Sequence, residues 1–197
     1  MTISPTEHVV LVTENDEEIG IADKATIHTD TTPLHRGFSL FLFNDRGELL
    51  LQQRTQQKIT WPGIWSNSVC GHPMQGESPI AAAQRRLDFE LGITLAQAAI
   101  HMILPKYQYR YEHHGVVEHE ICPVMAAFAN VTPKPNPSEV AHTRWINWPS
   151  FLDEISRPSQ YSEWCIEEAN LLNDNSTFRQ LYSDFCKPEN KDAAYHA

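Results

Sequence analysis

The sequence has few cysteines and no long apolar run. Its four cysteines are spread over 197 residues without a CxxC pair, which argues against a disulfide framework and indicates reduced thiols. No window approaches the roughly 18 apolar residues of a membrane span, and no basic segment precedes an apolar run at the N-terminus. Neither a transmembrane helix nor a secretory signal is predicted, and we expect a cytoplasmic protein.

Basic residues are also scarce. The 15 Lys and Arg against 25 Asp and Glu give a formal net charge of −10 at pH 7. Binders of nucleic acid or of membrane surfaces need a basic face, so both classes are disfavoured. The length suits one globular domain, predicted over residues 1–197 with flexible ends at 1–6 and 188–197. The sequence does not fix the oligomeric state, and a monomer is compatible with it.

The apolar patterning predicts a mixed α/β domain. Strands are predicted over residues 7–13, 38–54 (a hairpin), 107–111, 116–128 and 142–148. Pro123 inside one of these runs predicts a sheet edge or a bulge. The clearest helix runs over 78–91, with Ser78 as its N-cap, and two further helices are expected to begin at Ser150 and Ser162.

The clearest helix carries a known signature in altered form. From Gly71 the chain reads GHPMQGESPIAAAQRRLDFELGI, which resembles the Nudix box and implies a Nudix-like fold, a mixed β-sheet flanked by helices. Seven positions match: Gly71, Glu77, Arg85, Leu87, Glu90, Gly92 and Ile93. Arg86 and Phe89 stand where the box has metal-binding glutamates. We interpret Glu90 as a retained metal ligand on a helix that has lost its hydrolytic cluster, or else as a partner of Arg86 at i,i+4.

Segments around this helix are more specific. TWPGIWSNSVCGHP, KATIHTDTTPLHRGFS and VEHEICPV resemble the type I isopentenyl-diphosphate isomerases, over residues 7–164. The resemblance implies interconversion of isopentenyl and dimethylallyl diphosphate, with a prenyl diphosphate as the small-molecule partner. The double bond would move by protonation at C4 and deprotonation at C2, through a carbocation-like intermediate.

The resemblance also implies two bound metal ions. The first would be held by three imidazoles and two carboxylates, His28, His35, His72, Glu118 and Glu120. Glu118 and Glu120 alternate on a predicted strand and so share a face. This donor set suits Mn²⁺ or Zn²⁺, with Mg²⁺ as a further candidate. A second ion, Mg²⁺, would bind the substrate diphosphate together with Glu90 and the main-chain carbonyl of Cys70.

Catalytic roles follow from the same resemblance. Cys70 would be an acid/base, with a nearby cation favouring its thiolate. Glu120, hydrogen-bonded to Tyr109, would deliver the other proton, and which of the two is the immediate donor is left open. The ring face of Trp164 would stabilise the cation. Three basic residues would bind the diphosphate: Lys24, Arg54 and Lys58.

Two other functions stay open. A Nudix hydrolase could cleave a nucleoside or prenyl diphosphate, although Arg86 and Phe89 argue against it. That chemistry would also give Cys70 no catalytic role. A non-catalytic binding module on the same scaffold would not need the candidate catalytic residues that are present together. For Trp61 and Trp65 we favour ordinary core packing, and for His113 a structural role in a predicted hairpin turn.

Overall fold

A computed structural model of the protein describes residues 7–157 and 160–186. The chain ends predicted to be flexible, residues 1–6 and 188–197, lie outside the described residues. The described strands are β1 (His8–Val12), β2 (Glu18–Asp23), β3 (His35–Arg36), β4 (Phe38–Phe43), β5 (Glu48–Arg54), β6 (Trp65–Ser66), β7 (Val69–Gly71), β8 (Ile100–Leu104), β9 (Gln108–His113), β10 (Val116–Ile121), β11 (Val124–Phe128) and β12 (Val140–Asn147). The described helices are α1 (Lys24–Ile27), α2 (Pro79–Leu91), α3 (Trp148–Ile155), α4 (Glu163–Asp174) and α5 (Ser176–Phe185), with a 3₁₀ turn at Gln97–Ala99.

The strands form two mixed sheets. The first has the order β2-β1-β3-β10-β9, and the second has the order β12-β5-β4-β11-β8, with β6 beside β5 and β7 beside β4. Two pairings are parallel, β10 with β3 and β11 with β4. The predicted mixed sheet and the 38–54 hairpin are both confirmed.

The chain passes from one sheet to the other at two adjacent places. The predicted strand over 116–128 is wrong as one element, because β10 and β11 lie in different sheets and Pro123 between them has no N–H to continue the ladder. Gly37 marks the neighbouring crossing, between β3 of the first sheet and β4 of the second. Its N–H donates to the Ile121 carbonyl at 2.9 Å. The two crossings therefore run side by side and hold the sheets together.

Side-chain alternation buries both faces of the second sheet. In β4, Phe41 and Phe43 pack into the cluster that contains residues of α3, α4 and α5. Leu40 and Leu42 pack on the other face into the cluster that contains residues of α2. The sheet thus lies between α2 on one side and α3, α4 and α5 on the other, as a strand of six buried residues, five of them apolar, requires.

Local signals explain where the helices begin and end. The Ser78 side chain accepts from the Ala81 N–H at 3.2 Å, and Gly92 ends α2 in the left-handed conformation, with φ 60°. α4 follows Ser162, as predicted, whereas α3 begins at Trp148 rather than at Ser150. The start at Ser150 was wrong because the helix follows β12 directly. No helix in the described part of the chain is long and apolar enough to cross a membrane.

Candidate active site

A cavity of about 440 Å³ takes its walls from both sheets and from three helices. Ten of the twelve predicted site residues line it: Lys24, His28, Arg54, Lys58, Cys70, His72, Tyr109, Glu118, Glu120 and Trp164. The other two, His35 and Glu90, are buried behind the wall. The fold thus gathers residues from separate segments at one place.

One end of the cavity carries the histidine–glutamate cluster. One ligand atom from each of His28, His35, His72 and Glu118 lies within 4.8 Å of all the others. His28 Nε2 is 3.3 Å from Glu118 Oε2, yet neither atom has a hydrogen-bond partner. His35 Nε2 and His72 Nε2 are 3.3 Å apart. Buried ligand atoms that converge in this way, with His28 Nε2 and Glu118 Oε2 lacking any partner, fit a shared divalent cation.

The ring orientations support this interpretation. His35 Nδ1 lies 2.9 Å from the Pro33 carbonyl, and His28 Nδ1 lies 3.3 Å from the Lys24 carbonyl. A proton on each Nδ1 leaves Nε2 available as a ligand atom. Burial lowers the pKa of His72 to about 4, so its imidazole is in the neutral form that a metal ion requires.

Glu120 lies beside this cluster but outside the group of four. Its Oε1 accepts from His72 Nε2 at 3.0 Å, and His35 Nε2 is 3.6 Å away. Burial alone would raise the pKa of Glu120, but the neighbouring imidazoles of His35 and His72 outweigh it and hold the pKa well below its ordinary value. A Cβ at Gly37 would lie 1.7 Å from Glu120 Oε2, so only glycine leaves room for this carboxylate.

Cys70 reaches the cavity from the second sheet, where it pairs with Ser39 across β4 and β7. Burial raises the pKa of its thiol to about 12, against the opposing charge of Arg54. The side chains by themselves therefore favour the thiol, because desolvation and nearby carboxylates dominate, and the thiolate stays a prediction that requires a bound cation. A divalent cation beside the sulfur would act in the opposite direction.

Aromatic rings form the apolar wall. Trp164 stacks on Tyr109 with ring centres 5.8 Å apart, and Trp61 meets Trp164 edge-on at 5.0 Å. Tyr109 is paired with Glu120 across β9 and β10. No hydrogen bond between these two side chains is found among the described residues, so that part of the prediction was wrong. Burial raises the pKa of Tyr109 well above its usual range.

A second part of the cavity wall, called the cationic end below, is rich in ion pairs. Lys24 Nζ lies 2.6 Å from Glu7, Lys58 pairs with Glu139, and Arg86 binds Glu90 at 2.6 Å. The other Glu90 oxygen accepts from Gln52 at 3.1 Å. Glu90 therefore makes the i,i+4 pair that was the alternative interpretation of this position.

Comparison with known proteins decides the family. Residues 33–165 match the NUDIX domain family. An isopentenyl-diphosphate Delta-isomerase of Saccharopolyspora erythraea is 46% identical over 168 residues, 84% of this chain and 86% of that protein. Another, of Klebsiella pneumoniae, is 41% identical over 181 residues, 91% of this chain and 95% of that protein. The chain belongs to the isopentenyl-diphosphate Delta-isomerase family.

Solved structures confirm the fold predicted for this isomerase family member. A Deinococcus radiodurans structure superposes with a TM-score of 0.67 at 20% identity, covering 84% of this chain and 98% of its own. A MutT NUDIX hydrolase of Burkholderia pseudomallei gives a TM-score of 0.53 at 22% identity, covering 70% and 96%. At these identities the likeness concerns the fold alone.

Sequence reasoning missed three residues that line the cavity of this isomerase family member. Arg86 was noted only as a departure from the Nudix box, whereas Glu7 and Glu139 were not singled out. The replacement of a metal-binding glutamate by Arg86 could have indicated that this side chain faces the site. The predicted packing of Trp61 is confirmed, since it is buried, and its indole N–H donates to Glu163 at 2.6 Å.

Proposed function

We propose that this chain interconverts isopentenyl diphosphate and dimethylallyl diphosphate by moving two protons within the cavity. One observation carries the proposal: Cys70 from the second sheet and Glu120 from the first line the same cavity. Moving a C=C bond between C3–C4 and C2–C3 needs one group that gives a proton at C4 and another that takes a proton at C2. A thiol and a carboxyl group supplied from different walls meet that need.

The diphosphate binds at the cationic end. Lys24, Arg54 and Lys58 offer charge-assisted hydrogen bonds to its oxygens, and Arg86 lies among them. Mg²⁺ bound with the substrate would neutralise part of the phosphate charge, with Glu90 and the Cys70 carbonyl as protein ligands. Binding the polar head there places the five-carbon tail towards Cys70, Glu120 and Trp164.

Protonation at C4 falls to Glu120. A cation held by His28, His35, His72, Glu118 and Glu120, whether Mn²⁺, Zn²⁺ or Mg²⁺, would supply Lewis-acid polarisation that makes the carboxyl group a stronger acid. Tyr109, which pairs with Glu120 across β9 and β10, would either relay a proton to Glu120 or donate it directly. In the forward direction Glu120 ends the step as a carboxylate.

Deprotonation at C2 falls to the Cys70 thiolate, which ends the step as a thiol. The positive charge that develops at C3 faces the Trp164 ring, whose quadrupole stabilises cations. Trp61 and Tyr109 pack against Trp164 and exclude water that would capture the cation as an alcohol. A proton must then pass from Cys70 to Glu120 before the next turnover.

The hydrolase alternative is disfavoured by the two replaced box positions. Arg86 fills its position with a cation that is paired to Glu90, and Phe89 is 49% exposed. Neither side chain can hold a metal ion for attack by water. The four cysteines are unpaired, which supports the inferred cytoplasmic location, and the acidic net charge supports a partner other than nucleic acid or membrane.

Incubation with isopentenyl diphosphate and Mg²⁺ in D₂O tests the proposal. We expect deuterium in the methyl and C2 positions without phosphate release. Cys70→Ala should lower the rate at least about 1,000-fold because the base is lost. Cys186→Ala, remote from the cavity, is the control. Phosphate release would indicate the hydrolase, absence of both outcomes would indicate a binding module, and near-full activity of Cys70→Ala would overturn the base assignment.

A further inference from the structure

We propose that Glu139, assisted by Glu7, determines ligand specificity by occupying the diphosphate-binding cations of the substrate-free cavity. Only an anion with more charge than one phosphate group would then displace these carboxylates. The inference rests on the proposed function, because it concerns the diphosphate end of the same cavity.

The contacts show how completely the cations are occupied. Glu139 pairs with Lys58 and lies 3.0 Å from Arg86, and Glu7 lies 3.2 Å from Arg86 and 2.6 Å from Lys24. Three of the cations that would bind a diphosphate are therefore already paired with carboxylates that line the cavity themselves.

The carboxylate of Glu139 is charged and only partly hydrated. Its side chain is 20% exposed, and that of Arg86 is 5% exposed. Burial would raise the pKa of Glu139, but the hydrogen bond and charge of Lys58 outweigh it and lower the pKa. Desolvation makes each ion pair stronger than a surface pair, so an incoming anion competes with a bound charge rather than with water.

The backbone holds Glu139 in place. Its N–H donates to the Asn136 carbonyl at 3.0 Å, and its carbonyl accepts from the Thr55 N–H at 3.3 Å. Asn136 in turn donates its N–H to the Glu90 carbonyl at 2.8 Å. These hydrogen bonds attach the segment before β12 to α2 and to the end of β5, the elements that carry Arg86 and Arg54. The backbone at Glu139 therefore stays in place when a ligand binds, and only the side chain can move away.

Charge counting gives the selectivity. Lys24, Lys58 and Arg86 are paired with Glu7, Glu139 and Glu90. Further carboxylates line the same cavity, so the positive field that a ligand meets is weak. A monophosphate gains little from that field and is repelled by Glu139. A diphosphate has enough oxygens to take over several cations at once, because each charge-assisted bond replaces one made by a carboxylate. Repulsion of the weaker anion thus provides discrimination.

Calorimetric titration of the full chain with inorganic pyrophosphate and with inorganic phosphate tests this. Glu139→Gln should bind pyrophosphate about 10-fold more tightly, because no carboxylate has to be displaced from Lys58 and Arg86. Phosphate binding should improve by a larger factor, because phosphate cannot displace the Glu139 carboxylate and must otherwise bind beside its charge. The preference for pyrophosphate over phosphate should therefore narrow. Glu48→Gln, which removes an ion pair with Arg46 away from the cavity, should change neither affinity.

Two outcomes would overturn the inference: unchanged or weaker pyrophosphate binding in folded Glu139→Gln, or an unchanged preference between the two anions. Weaker binding would mean that Glu139 only positions Lys58. If Glu139→Gln does not fold, Glu7→Gln decides, with the same expected direction and a smaller shift because Glu7 is about half exposed. Both titrations measure binding without turnover, so failure of the deuterium test would leave this result standing on its own.

Discussion

The two ends of the cavity bury charge in opposite ways. At the histidine–glutamate end, ligand atoms converge and several remain without hydrogen-bond partners, among them His28 Nε2 and Glu118 Oε2. At the cationic end, Lys58 and Arg86 are already matched by carboxylates. At the first end, binding free energy comes from adding a cation to ligand atoms that already converge. At the second end, it comes only from replacing one anion by another.

This contrast separates two kinds of binding energy. A buried donor without a partner carries a desolvation cost that an added ion removes. In a buried ion pair the attraction between the partners already offsets their desolvation, so a new ligand contributes only the difference between its contacts and those it displaces. We therefore expect tight, stabilising metal binding at one end and weaker, selective anion binding at the other.

The largest effect should follow from removing a ligand at the metal end. His72→Ala deletes one of the four convergent groups, and we expect metal content and isomerisation to fall by about 100-fold or more. Metal analysis of the purified protein, together with the rate in D₂O, measures both. His142→Ala, an exposed change on β12, should alter neither. Full metal content in His72→Ala would contradict the assignment of a metal site to this end of the cavity.

A smaller effect should follow at the cationic end. Lys58→Met removes one charge-assisted hydrogen bond to the diphosphate, so KM should rise about 10- to 100-fold while kcat changes little. Steady-state kinetics separate the two constants. Lys106→Met, in an exposed turn before β9, serves as the matched control. A fall in kcat at unchanged KM would mean that Lys58 acts on the reacting carbons and not on the head group.

The smallest effect concerns a buried acid that belongs to neither end. Glu168 on α4 is fully buried, its Oε2 has no partner, and burial raises its pKa well above the ordinary 4.5. A carboxyl group with a raised folded pKa stabilises the fold below pH 4.5, and this contribution is lost as the pH rises towards the folded pKa, at about 1.4 kcal/mol per unit.

Glu168→Gln removes that dependence. Its melting temperature should exceed that of the wild type by about 2–4 °C or more at pH 7 and by less at pH 5. Thermal unfolding at the two pH values measures the difference, with the exposed Glu14→Gln as the reference substitution. Equal shifts at both pH values would show that Glu168 ionises normally in the folded chain.

Features encoded locally were predictable from the sequence. Ser78 and Gly92 fix the ends of α2 through contacts within a few residues, and the 38–54 hairpin has its own turn. The gathering of ten candidate residues around one cavity was predictable only through resemblance, because residues such as His28 and Glu118 meet through strand pairing over 90 positions. The crossing at Pro123 was missed because the proline signals an interruption without showing which sheet follows.

The cationic end shows the same limit. The segment that ends at Glu139 reads TPKPNPSE, a proline-rich composition typical of a surface loop, and most of its residues are exposed. Its carboxylate faces the cavity because β12 pairs with β5, a long-range contact that no local pattern contains. The pKa of the Cys70 thiol is likewise set by long-range structure, since desolvation depends on the completed core.

The placement of the metal ligands has a consequence for the order of assembly. His28 follows α1, His35 lies on β3, His72 follows β7, and Glu118 lies on β10. Early in folding the chain cannot collect four such distant groups, because closing several long loops at once costs too much conformational entropy. We therefore expect the ion to enter last, so that removing it should accelerate unfolding while leaving the refolding rate almost unchanged.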